Sequence, residues 1–194
     1  MRQFYFLLTL SFVFIKGYSN NANGYIVTLN NDTVYVQIKL SGGFFFGIGR
    51  YDMYKQVEVV DSSGAINVLT PNDIKAYGYT YKSKDYVYRV KPVKDGSDYF
   101  LEPMSIGLKT NLYRYIVTRG GGQSTTFQDY YTFEKSDGTY LYLTSYDALE
   151  TFKTNLKRFY SDNLEVQQLI DKKFSARKKI QKDLQDIVTA VNNS

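Results

Sequence analysis

The chain has 194 residues and contains no cysteine, no histidine and no tryptophan. Without cysteine there is no disulfide, no thiolate nucleophile and no Cys/His zinc site. There is also no cysteine on which a bacterial lipoprotein could be acylated. Without histidine there is no Ser-His-Asp or Cys-His constellation, because the base is missing. The imidazole switch near neutral pH is excluded as well. Catalysis would have to rest on carboxylate pairs, lysine or tyrosine. The chain therefore reads as no enzyme, with no cofactor and no metal, and a carboxylate-based glycan hydrolase is the alternative.

What stands in their place is aromatic. There are 20 tyrosines and 13 phenylalanines. Tyrosine suits strands that are buried on one side and wet on the other, so its abundance is first a sheet signal. The apolar fraction of 43% is ordinary for a globular protein. The length suits one domain or one and a half, with a core that needs no staples.

Charge is modest. The formal net charge is +5, and leaving out Arg2 and Lys16 of the N-terminal segment lowers it to +3. Both signs are interspersed, so no nucleic-acid partner is expected. Residues 1–19 read as a signal peptide: Arg2, then an apolar run over 4–15 broken only by Thr9 and Ser11, then the small residues Gly17 and Ser19. That run falls short of the roughly 20 residues needed to span a bilayer. The expectation is an exported protein in the periplasm, at the cell surface or in the medium, with no transmembrane anchor after cleavage.

Residues 20–144 read as a β-rich domain. The cleanest strand is 33–40, where Val34, Val36, Ile38 and Leu40 alternate with Thr33, Tyr35, Gln37 and Lys39. Further strands are expected over 25–29, 53–61, 66–69, 75–82, 86–93, 99–105, 108–118, 130–135 and 140–144. The Phe44-Phe45-Phe46 run with its glycines is consistent with a buried strand that bends. Turn chemistry falls at Asn30-Asn31-Asp32, Ser62-Ser63-Gly64, Ser83-Lys84-Asp85, Asp95-Gly96 and Asp137-Gly138. Thr70-Pro71 fits a capped single turn. Pro103 places its strand near an edge or a bulge.

The period then lengthens from 2 to about 3.6. Leu149, Phe152, Leu156 and Phe159 form one stripe. Val166, Leu169, Ile170 and Phe174 form a second, and Ile180, Leu184, Ile187 and Val191 a third. Ser145, Asp162 and Ser175 are the expected N-caps. Residues 145–194 are thus a helical segment packed on or beside the sheet. The class is α+β: an antiparallel sheet or barrel-like body followed by about three helices.

Gly24-Tyr25-Ile26-Val27, Asp32-Thr33-Val34 and the Thr70-Pro71-Asn72-Asp73-Ile74 bend resemble a group of exported, uncharacterised proteins of Bacteroidetes-type bacteria. Tyr99-Phe100-Leu101-Glu102, Leu112-Tyr113-Arg114-Tyr115, residues 130–135 and residues 152–159 continue the likeness. The chain departs from the group at Val36, where glycine is frequent, and in lacking a cysteine near Asp162. The resemblance implies export and this domain order, and it supplies no activity.

The candidate binding surface is a tyrosine face. Tyr77, Tyr79 and Tyr81 share one side of a strand, and Tyr86 and Tyr88 one side of its return, with Lys82, Lys84, Arg89 and Lys91 nearby. Exposed rings of this kind stack on sugars or bases. Export points to a glycan or an envelope or extracellular protein as the partner. Cross-strand packing accounts for the same rings if they are buried.

Other features are weaker. Arg119-Gly120-Gly121-Gly122 lacks the lysine of a phosphate loop. Asp95, Asp98, Asp129 and Asp137 lack calcium-loop spacing. Glu58, Asp61, Glu102 and Glu134 are carboxylates without an evident pairing. Asp32-Thr33-Val34 resembles a short O-glycosylation acceptor, which requires Thr33 to be exposed. A small outer-membrane barrel is a further alternative, although such barrels need longer strands.

Overall fold

The computed structural model describes residues 21–40, 52–61, 63–119, 126–174 and 179–194. The expected signal segment, the Phe44–Phe46 run, the glycine loop at 120–125 and Ser175 lie outside those residues.

Among the described residues, ten antiparallel strands are followed by three helices. The strands are β1 (Asn21–Thr28), β2 (Thr33–Lys39), β3 (Val57–Val60), β4 (Ile66–Leu69), β5 (Ile74–Tyr81), β6 (Lys84–Pro92), β7 (Asp98–Ser105), β8 (Thr110–Arg119), β9 (Thr126–Lys135) and β10 (Tyr140–Thr144). The helices are α1 (Leu149–Phe159), α2 (Leu164–Lys173) and α3 (Ile180–Asn193). The hydrogen-bonded order is β10-β9-β8-β7-β6-β5-β1-β2-β3-β4. The α+β class, with strands first and helices last, follows directly.

The series has two ends and does not close, so the barrel part of the expectation gives way to an open sheet. A membrane barrel needs a closed ring of strands to satisfy its backbone. Among the described residues no helix is long and apolar enough to cross a membrane.

Open does not mean flat. β5 returns to the free side of β1, four strand intervals from β4. In a flat sheet that is about 19 Å. Leu69 and Ile74 are only five residues apart, a reach of about 17 Å when fully extended. The link is not extended either, because the Asp73 N–H donates to the Thr70 carbonyl at 3.0 Å. β1 to β4 must therefore curl, and their inner face closes on Ile38, Val57, Val59, Ile74, Tyr77 and Tyr79 as one core. The Thr70-Pro71 bend is thus a single turn between strands. The Asp73 carboxylate accepts from the Thr70 backbone N–H (2.8 Å) and hydroxyl (2.7 Å).

β7 is where the sheet divides. Its first half pairs with β6, from Asp98↔Pro92 to Leu101↔Arg89. Its second half pairs with β8, beginning at Glu102↔Arg114, with a register shift between Pro103 and Ser105. The bulge is where Pro103 was expected to put one. Phe100 and Leu101 are both fully buried, although they point to opposite faces.

Several boundaries move. The strand expected over 53–61 begins as a 3-10 turn at Asp52–Tyr54 and becomes β3 only at Val57. The β5–β6 turn is Lys82-Ser83, one position earlier than its residue chemistry suggested, with φ of 50° and 59°. Both residues occupy the left-handed region of a two-residue hairpin turn without being Gly or Asn. The expected N-caps give way as well. Asn163, not Asp162, caps α2 by accepting from the Val166 N–H at 3.0 Å. α1 starts after Ala148 with no side-chain cap, and Ser145 instead accepts from the Asp129 N–H at 3.2 Å.

The helices pack on the second half of the sheet. Leu112, Tyr131, Phe133 and Leu143 meet Phe152, Leu156, Ile170, Leu184, Ile187 and Val188 in a second core. Asn192 of α3 fastens the join. Its Oδ1 accepts from the Lys109 and Thr110 N–H groups at 2.9 and 3.0 Å, and its Nδ2 donates to the Thr110 carbonyl at 2.9 Å. A Cβ on Gly107 would lie 2.1 Å from Asn192, so only glycine admits that contact.

Candidate functional site

The hairpin register assembles the tyrosine ladder as expected. Tyr77 faces Tyr88 and Tyr79 faces Tyr86. Their rings stack at 4.8 and 5.0 Å between centroids, close to parallel. The ladder is not a surface, however. Tyr77 is 0%, Tyr79 3% and Tyr88 1% exposed. They line the inside of the curl, not an underside of the helices. Met53 and Tyr54 of the 3-10 turn pack over them. The Tyr77 hydroxyl donates to the Met53 carbonyl at 2.6 Å, and Phe100 meets the Tyr77 ring edge-on at 4.9 Å.

Only the open end of the ladder meets solvent. Tyr81 and Tyr86 are half-buried, with the Lys82 and Lys84 ammonium groups 5.3 and 5.2 Å from their ring centres. Tyr79 and Tyr86 also line a shallow groove of about 420 Å³ with Tyr25 and Tyr35. Tyr25 lies across Gly78, where a Cβ would come within 2.7 Å of its ring. The five-ring platform therefore reduces to its outer two members.

A second set of rings, which strand patterning did not single out, stands on β7 to β10. Tyr99 meets Tyr115 edge-on at 5.7 Å, and Tyr115 stacks on Tyr130 at 4.9 Å. Tyr142 stands two residues off the same cross-strand line, on the same face, stacked on Tyr140 at 6.1 Å. Tyr131, Phe133 and Leu143 turn toward the helices, so Tyr130, Thr132 and Tyr142 project from the opposite face. Two adjoining hollows lie there. One of about 280 Å³ is lined by Tyr115, Tyr130, Thr132, Tyr142, Lys94 and Asp147, among others. The other, about 410 Å³, shares Lys94, Tyr115 and Tyr130 and adds Tyr99 and Asp95. Burial pushes the Tyr115 and Tyr142 phenols upward, and nearby acidic and phenolic groups add to this. Both stay neutral donors at physiological pH.

The pocket has a register cause. Thr132 pairs with Tyr113 on one side and with Tyr142 on the other. Along its own strand the same face carries Tyr130 and Glu134. One short side chain among large ones leaves a depression. Sequence alternation could have found most of these rings, since Tyr113 and Tyr115, and Tyr140 and Tyr142, recur at spacing two within their strands. The missing information was the register that brings the strands together.

Below the pocket, Glu134 gathers four donors. Lys91 donates at 2.6 Å, Tyr140 at 2.8 Å, and Asn111 and Tyr113 at 3.1 Å each. Burial pushes the Glu134 carboxyl up, but the bonds from Lys91, Tyr140 and Asn111 outweigh it and hold the group below its ordinary value. The Tyr140 phenol is pushed up to about 12 by burial and by that carboxylate. Every lone pair is engaged, which marks Glu134 as structural.

The remaining carboxylates sort by place. Asp61 accepts from the Ser63 and Ala65 N–H groups at 2.8 and 3.0 Å, and Glu58 pairs with Lys39 at 2.8 Å. Asp95 and Asp137 bind the N–H two residues on, at 2.9 and 2.8 Å, each within its own turn. Asp98 opens β7. Glu102 and Asp129 meet at one guanidinium: Arg114 lies 2.6 Å from Glu102 and 3.9 Å from Asp129, and also donates to Gln181 of α3. Burial raises the Asp129 carboxyl against the pull of Arg114. Among the described residues no three acidic side chains gather as a metal site. Thr33 is exposed at the start of β2, which meets the accessibility its motif requires.

No family model, curated protein or solved structure matches the chain.

Proposed function

We propose that this is an exported, non-catalytic binding protein that takes an envelope or extracellular partner on the tyrosine face of β7 to β10. The observation that carries this reading is the row Tyr99, Tyr115, Tyr130 and Tyr142 around two adjoining hollows. Tyr99, Tyr130 and Tyr142 are half-exposed around the buried Tyr115, and aromatic rings backed by a rigid sheet recognise ligands at little conformational cost. The N-terminal segment and the resemblance to exported proteins of Bacteroidetes-type bacteria supply the location. The absence of histidine and cysteine and the fully engaged Glu134 favour binding over turnover. The test is retention of the purified exported protein on envelope fractions. Tyr142→Ala should abolish it and Tyr35→Ala, on the distant β2, should not. Equal retention of both variants counts against the assignment.

A carboxylate hydrolase has one observation in its favour. Asp129, with its raised carboxyl, lines an open groove of about 440 Å³ beside Gln181 and Lys182. Its nearest acidic neighbour, Glu102, is tied to the same Arg114, so the two do not face each other across a cleft as glycosidase carboxylates do. Turnover of a glycan that is lost in Asp129→Asn would replace the binding reading with this one.

A further inference from the structure

The 280 Å³ hollow over Thr132 has a feature that the packing of the sheet does not explain. Thr132 is 0% exposed, and its hydroxyl has no hydrogen-bond partner among the described residues. Leaving such a group unpaired costs more than replacing it by an isosteric methyl, so a valine would serve the fold better. Thr132 is one of the residues lining a pocket with Tyr115, Tyr130 and Tyr142, although its hydroxyl has essentially no accessible surface of its own. At the rim stand one cation, Lys94, and one anion, Asp147.

We propose that this pocket binds one pyranose unit of a neutral glycan chain. The inference rests on the binding reading above and names its ligand class. Three properties of the site select it. Aromatic walls suit the apolar C–H faces of a sugar ring. The neutral phenols supply short-range hydrogen bonds to ring hydroxyls, and the Thr132 hydroxyl adds one once a shift of the rings over it uncovers it. The opposite rim charges offer no net field for a polyanion, which would call for a cluster of Lys or Arg. Size agrees: about 280 Å³ is at the small end of ligand pockets and suits a single ring. The adjoining hollow past Tyr115 and Tyr130 gives the chain somewhere to continue.

Calorimetric titration of the purified exported protein with cellohexaose, mannohexaose and chitohexaose tests the assignment. At least one should bind saturably. Thr132→Val should weaken that binding about five- to tenfold, the loss of one hydrogen bond, while its melting temperature stays equal or rises. Thr132→Phe, which fills the pocket, should abolish binding. If that variant does not fold, Tyr142→Ala takes its place and should weaken binding at least fivefold. The assignment is overturned if none of the three saccharides binds, or if binding is indifferent to Thr132 and Tyr142. A protein that binds an envelope protein but no saccharide defeats the ligand class and leaves the binding reading standing. Saccharide that is bound through Thr132 and then cleaved leaves the pocket standing and defeats the non-catalytic reading.

Discussion

The core inside the curled strands is built largely from tyrosine, with Tyr54, Tyr77, Tyr79 and Tyr88 beside Ile38, Val57 and Val59. The core under the helices is built from Phe133, Phe152, Leu156, Ile170, Leu184, Ile187 and Val188. Both exclude water, but they do so against different covers. Three helices each bring an apolar stripe and seal a sheet face mostly with aliphatic and phenylalanine side chains, Tyr131 and Tyr160 being the tyrosines among them. The curled half is covered by a short 3-10 turn, whose backbone carbonyls need donors. Tyr77 supplies one to Met53 while its ring fills the interior. A polar tip on an apolar body serves the curl where a backbone carbonyl needs a donor. The same residue type also lines the outer pocket, so tyrosine abundance by itself does not separate core from surface.

The contrast can be broken most forcefully from the helical side. Phe152→Ala, at a site 1% exposed, should lower stability by about 4 kcal/mol. Urea unfolding followed by far-UV circular dichroism measures the loss. If the two cores are separable, the helical signal will melt before the tyrosine near-UV signal; a single coincident transition would show one cooperative unit.

The link between the halves is next. Lys91 of β6 and Glu134 of β9 tie the two parts of the sheet together at 2.6 Å. Glu134→Ala strands a mostly buried lysine and should cost about 3 kcal/mol, read from the urea midpoint at neutral pH. The same carboxylate should give stability an acid limb. Its folded value is depressed, so its contribution is full above the ordinary glutamate value of about 4.3. It is lost as pH falls through the lower folded value. Glu134→Gln should flatten that limb in midpoints measured between pH 2 and 6.

Smaller effects test the tyrosine half. Tyr77→Phe removes one buried hydrogen bond without changing the ring. It should cost about 1 kcal/mol in chemical denaturation, and no loss would mean the Met53 carbonyl is satisfied otherwise. Smallest and opposite in sign is the β5–β6 turn. Replacing Lys82-Ser83 by Asn-Gly suits both positive φ values and should raise stability by up to about 1 kcal/mol, seen as a higher thermal midpoint.

Much of this architecture was legible in residue order. Alternation over 33–40 put Ile38 and Leu40 inward, and both are buried. Val34 shares their face, yet it lies exposed at the outer end of its strand. The helical stripes were legible because each helix buries one face against a neighbour. Caps were harder: Asn163 and Asp162 are adjacent and chemically alike, and backbone geometry alone chooses between them. Of the candidate site, the pairing of Tyr77 with Tyr88 and Tyr79 with Tyr86 was readable from the hairpin. The burial of Tyr77, Tyr79 and Tyr88 was not, because it depends on a curl imposed by strands as far away as β4.

Local chemistry, then, determined the strand and helix periods, the hairpin turns, the order of strands before helices and the exclusion of histidine- and cysteine-based catalysis. The periods and turns rest on contacts between residues close in the chain, and the exclusion rests on composition alone. Tertiary structure alone decided which tyrosines lie inside, where β7 hands the sheet from one half to the other, and that Thr132 stands as the short side chain among large ones. Each of those depends on register and curvature between strands distant in sequence, which no local pattern encodes.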